Sequence, residues 1–140
     1  MAQINYILSM AVCDPSADEL TQTSAAIRKV LERIPLGQHV TVHDYLNPEA
    51  LLADKPCDLC VTEIDLEAMD GFALISKIRE GQPDARAIIA TRTATNATAL
   101  KAWKANVDQY LLKPLGNERN LRQLQHILNL IVTEELEKRR

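Results

Sequence analysis

Five times along this chain a short apolar run gives way, across a turn, to a stretch whose apolar residues recur at helical spacing. No other feature constrains the fold as much. The runs are Tyr6–Cys13, His39–Tyr45, Cys57–Ile64, Ala85–Thr91 and Val107–Leu112. The helical stretches are Ala17 to Arg33, a short one from Pro48, Gly71 to Glu80, Ala97 to Ala105, and Asn117 to about Lys138. Punctuation supports these divisions. Asp14-Pro15-Ser16 ends the first run, Asn47 caps a helix whose first residue is Pro48, and Lys113-Pro114 closes the last run.

Strands separated by helices pair in parallel and carry helices on both faces. The expected fold is α/β, a flavodoxin-like (βα)5 doubly wound parallel sheet with strand order 2-1-3-4-5. One domain spanning 1–140 accounts for the whole length. Sheets of this kind place their sites beyond the carboxyl ends of the strands, at the switch point. The residues standing there are Asp14, Glu63, Thr91 and Lys113, so two carboxylates, a hydroxyl and an ammonium are expected in one crevice. Asp70-Gly71 follows seven residues after Glu63.

This ordered set resembles the receiver domain of two-component response regulators, over about Ile7 to Ile131. The stretches AVCDPS and ALKAWKANVDQYLLKPL are similar to receivers of LytTR-type transcription regulators. The resemblance implies that Glu63 holds the phospho-acceptor position and Asp14 the first of two acidic, Mg2+-binding positions. Thr91 would be the switch hydroxyl, Tyr110 the switch aromatic and Lys113 the phosphoryl-contacting lysine. Pro114 would follow a cis peptide bond.

Two departures shape the functional expectation. Pro15 stands where the second acid should be and offers no side-chain oxygen to a metal that needs oxygen ligands. Glu63 is one methylene longer than aspartate. Phosphoryl transfer depends on positioning, and a displacement of about 1 Å can cost ~100-fold. The reading is an atypical receiver in bacterial signalling, without aspartyl phosphorylation, enzymatic activity or cofactor. Were Mg2+ held at all, Asp14, Glu63 and Asp65 are the residues for it. Glu63 could extend its charge toward Lys113 and Thr91 as a phosphoryl group would, or simply neutralise Lys113, and the sequence leaves both open. The rival readings are a working phospho-accepting transcription regulator with a DNA-binding output domain, and a flavodoxin-like enzyme or nucleotide binder using the same crevice. Against the second, the chain has only four glycines and no glycine-rich phosphate loop after the first run.

The last helix, about 117–140, carries apolar residues over more than half its circumference. A core-facing stripe needs little more than about 100°. Leu124, Ile127, Leu128 and Ile131 are therefore expected at a partner interface, in a homodimer or against a signalling protein or output domain. The Lys138-Arg139-Arg140 cluster reads as a solvated helix end. A net charge of −3 argues against direct nucleic-acid binding. Three cysteines without a disulfide-like pattern point to a reducing cytoplasm, and no run approaches the ~20 apolar residues of a membrane span. Cys57 and Cys60 form a C-x-x-C, but inside a strand residues three apart face opposite ways, which excludes a shared role.

Overall fold

The computed structural model describes residues 4–54 and 56–139. Its strands are β1 (Leu8–Cys13), β2 (Val40–Tyr45), β3 (Leu59–Thr62), β4 (Arg86–Thr91) and β5 (Gln109–Leu112). The helices are α1 (Ala17–Leu31), α2 (Pro48–Ala53), α3 (Gly71–Gly81), α4 (Asn96–Lys104) and α5 (Glu118–Glu137). All strand pairings are parallel and the order is β2-β1-β3-β4-β5, as the alternation requires. β1, β3 and β4 are buried almost throughout because helices cover both faces.

Side-chain caps set the helix starts. Ser16, Asn47, Asp70, Thr95 and Asn117 each accept a hydrogen bond from the backbone amide three residues on. Several expected boundaries shift inward. β1 begins at Leu8, α1 ends at Leu31, and a 3₁₀ turn at Gly37–His39 precedes β2. β3 begins only at Leu59, so Cys57 precedes the strand and the strand-alternation argument does not apply to it. Cys57, Cys60 and Cys13 all pack in one buried cluster with Leu51, Leu66 and Leu74, as free thiols.

The expected interface on α5 is corrected. Leu124, Ile127, Leu128 and Ile131 are 0%, 8%, 0% and 1% exposed, and they sit in the main core with residues of α1, β1, β3, β4 and β5. α5 packs against α1 as well as against the sheet, so two neighbours use the wide apolar face. Of its leucines only Leu130 is largely exposed, at 46%.

The end of α5 is also less solvated than expected. Arg139 pairs with Glu135 at 3.0 Å and with the buried Asp58 at 3.2 Å, and its guanidinium lies over the Tyr6 ring. Asp58 also accepts from the Ser9 amide and the Tyr6 hydroxyl. Glu135 is 3% exposed and further bound by Arg86 and Lys138. These contacts pin the last turn of α5 to the amino ends of β1, β3 and β4. Arg140 lies outside the described residues.

Candidate functional site

Asp14, Glu63 and Lys113 each stand one residue beyond a strand, with the backbone amide still in the ladder. Asp14 N–H donates to Tyr45 O, Glu63 N–H to Cys13 O and Lys113 N–H to Thr91 O. The sheet therefore fixes where each side chain starts, and the three converge at its carboxyl edge. The Lys113-Pro114 peptide is cis. Gly71 explains its pairing with Asp70. Its amide donates to Ile64 O at 2.7 Å, and a Cβ there would lie 2.4 Å from Glu63 O. Only glycine lets α3 start this close to the Glu63 backbone.

The Lys113 ammonium is the centre of the site. Its side chain is 3% exposed, and Nζ lies 2.7 Å from Asp14 Oδ2, 2.7 Å from Glu63 Oε1 and 2.8 Å from Glu19 Oε1. Burial pulls the lysine toward neutrality, but the Asp14, Glu19 and Glu63 carboxylates held against it outweigh this and raise its pKa above the ordinary value. The second oxygens of two carboxylates are also used. Asp14 Oδ1 accepts from the Ser16 amide at 3.0 Å and Glu63 Oε2 from the Ile64 amide at 2.6 Å.

Glu19 is the residue the sequence reading missed. Ser16-x-x-Glu19 has the form of a capping box, in which the glutamate would turn back to the Ser16 amide. Asp14 Oδ1 already takes that amide. Glu19 is thus released into the crevice, where Oε1 meets Lys113 and also Arg92 Nε at 2.7 Å. Both contacts are ion pairs outside good hydrogen-bond alignment. The contact with Lys113 holds the Glu19 carboxyl below the ordinary glutamate range.

The other expected residues divide. Thr91 is buried at the end of β4, but its hydroxyl accepts from the Thr93 amide at 3.4 Å, and the expected bond to Glu63 is not among the contacts of either residue. Tyr110 is half-buried on β5 and its hydroxyl lies 2.6 Å from Thr98 Oγ1, in the first turn of α4. Asp65 is exposed and accepts from the Glu67 amide. It is not one of the three carboxylates whose oxygens come within 4.8 Å of one another, which are Asp14, Glu19 and Glu63. The pocket above them, about 420 Å3, is lined by Ser16, Asp65, Thr91, Arg92, Thr95 and Thr98 among others.

Mg2+, which the resemblance implies, needs free carboxylate oxygens. Here one oxygen from each of Asp14, Glu19 and Glu63 is on a fixed ammonium, and two more are on backbone amides. As arranged, the donor set serves Lys113 and does not fit a metal.

The family model described as "Response regulator receiver domain" matches residues 16–125. Among curated proteins, the chain is 33% identical over 93 residues to the DNA-binding transcriptional regulator NtrC of Salmonella typhimurium, covering 64% of this chain and 20% of that protein. It is 35% identical over 101 residues to the response regulator protein PilR of Pseudomonas aeruginosa, covering 68% of this chain and 22% of that one. The chain thus spans about a fifth of the length of these relatives. Among solved structures, the REC domain of AraT, a response regulator from Geobacillus stearothermophilus, superimposes with a TM-score of 0.74 at 20% identity, over 96% of this chain and 99% of that chain.

Proposed function

Because the chain belongs to the response-regulator receiver family, we propose that it is an atypical receiver that signals by protein contact and forms no aspartyl phosphate. The observation that carries this reading is the fold-back of Glu63. Its carboxylate bonds the lysine directly and a loop amide beside it in the crevice. Charge that would otherwise attract a phosphodonor is neutralised internally, and no metal-ready acid pair is left. The domain acts without catalysis of its own and without a cofactor.

In this reading the output is the position of α4 and β5, since a receiver can bias only what its partner reads differently in two states. Leu100 and Trp103 on α4 and Leu112 on β5 are 51%, 78% and 49% exposed, apolar surface of the kind that partners cover. We assign the partner contact to this face, in a homodimer or with a signalling or output domain in the cytoplasm. The relatives named as transcriptional regulators make transcription control the fitting setting.

Intact mass after incubation with acetyl phosphate and Mg2+ tests the reading. No gain is expected. A gain of one phosphoryl group that disappears in Glu63→Ala would make Glu63 a working acceptor and overturn it.

A further inference from the structure

Glu19 belongs to α1, Lys113 follows β5, and Arg92 is the first residue after β4. One carboxylate oxygen, Glu19 Oε1, holds both cations at 2.8 Å and 2.7 Å. The hydroxyl of Thr91, which precedes Arg92, makes only a local bond to the Thr93 amide. Among the described residues, Arg92–Glu19 is therefore the side-chain tie between the β4–α4 loop and the site. The loop leads directly to Thr95, the cap of α4, and to Thr98, which meets Tyr110. We propose that Glu19 is a positioning residue that locks the β4–α4 loop, and with it the start of α4, by gripping Arg92 and Lys113 at once.

The geometry gives this contact its direction. Lys113 is buried and held by three carboxylates, so it is the fixed end. Arg92 has a side chain 54% exposed, so it is the end that can let go. Asp14 makes the arrangement available by taking the Ser16 amide that Glu19 would otherwise cap. The proposal rests on the reading above only for the claim that a partner senses α4; the lock itself is independent of phosphorylation.

Hydrogen exchange over residues 92–98 tests it. An exposed ion pair is worth up to about fivefold in an opening equilibrium. Glu19→Gln and Arg92→Gln should each speed loop exchange by a few fold, up to about fivefold. The double variant should add nothing to either. In the unchanged protein, protection of the loop should fall as salt is raised, because the Arg92 end is in solvent. In both variants it should be insensitive to salt, a response that a purely steric role would not give. Core exchange in β1 and α5 should stay the same in Arg92→Gln, which leaves the three carboxylates around Lys113 in place. Arg92→Gln alters an exposed side chain, so the test stands even if Glu19→Gln disturbs folding. Unchanged loop exchange in Arg92→Gln, or additive effects, overturns the lock and leaves the proposed function standing. Phosphoryl transfer to Glu63 does the reverse.

Discussion

Lys113 Nζ and Glu63 Oε1 stand 2.7 Å apart, and the same ammonium is equally close to Asp14. The two ends of this contact should respond unequally to mutation. Lys113→Met leaves three carboxylates without their buried cation and is expected to cost about 3–5 kcal/mol. Glu63→Gln leaves the ammonium with Asp14 and Glu19 and should cost about 1 kcal/mol or less. Urea-denaturation midpoints compare them, and equal losses would refute a shared lysine-centred cage.

The sheet was legible because a strand-and-helix alternation leaves few topologies, and strand ends then name Asp14, Glu63, Thr91 and Lys113 without further help. Glu19 was hidden by its own context. A serine three residues before a glutamate signals a cap, and nothing local reveals that Asp14 has taken the amide. The wide apolar face of α5 misled for a related reason. Counting around one helix cannot show that α1 lies beside it. The C-x-x-C argument failed because β3 starts two residues after Cys57.

Burial of α5 inside the domain makes a clear stability prediction. Leu128→Ala should cost about 3 kcal/mol, as buried leucine truncations do. Leu130→Ala, at an exposed position on the same helix, should change stability by less than about 0.5 kcal/mol. If α5 were chiefly an interface, Leu128→Ala would instead change the oligomeric state, seen by sedimentation, with little effect on the denaturation midpoint at low protein concentration.

Gly71→Ala should be costly despite an ordinary helix-start setting. Its Cβ would meet Glu63 O at 2.4 Å and Thr62 Cγ2 at 3.1 Å, and the first of these is backbone that cannot swing away. A loss of about 1–3 kcal/mol is expected. The chemical shift of the Glu63 amide should move with it, because α3 must retreat from that loop. A stable variant with an unmoved Glu63 amide would show that the close approach is not needed.

The two sequence departures should be reversible together. Pro15→Asp supplies the missing acid and Glu63→Asp shortens the acceptor, so the double variant should gain one phosphoryl group from acetyl phosphate with Mg2+. Either change alone should gain much less, since positioning and charge stabilisation must both be present. Intact mass reads the outcome. A double variant that stays unmodified would mean that Glu19 or Lys113 also blocks the chemistry.

Alkaline pH should weaken the fold, and the thiols supply most of the reason. Burial, with Asp14 nearby, pushes Cys13 from 9.0 up to about 12, and burial with Asp58 nearby pushes Cys57 up to about 11. Cys60 is raised well above its ordinary value by burial. In each case the native state keeps a proton that the unfolded chain has released. Their contribution is fully present below about pH 9 and is lost as pH rises toward the folded values. Lys113 has the same sign, because its pKa lies above the ordinary 10.5 and its contribution disappears as the ammonium deprotonates. Each such group adds a slope of about −1.4 kcal/mol per pH unit while it is deprotonated in the unfolded chain and protonated in the native state. Urea midpoints measured from about pH 7.5 to about pH 10.5 should be level at first and then fall beyond pH 9, where the unfolded thiols ionise. Cys13→Ala should remove one group's share of that slope. A level profile across the whole range would mean that the thiols ionise as readily in the native protein as in the unfolded chain, and that the cluster beneath the site is open to water.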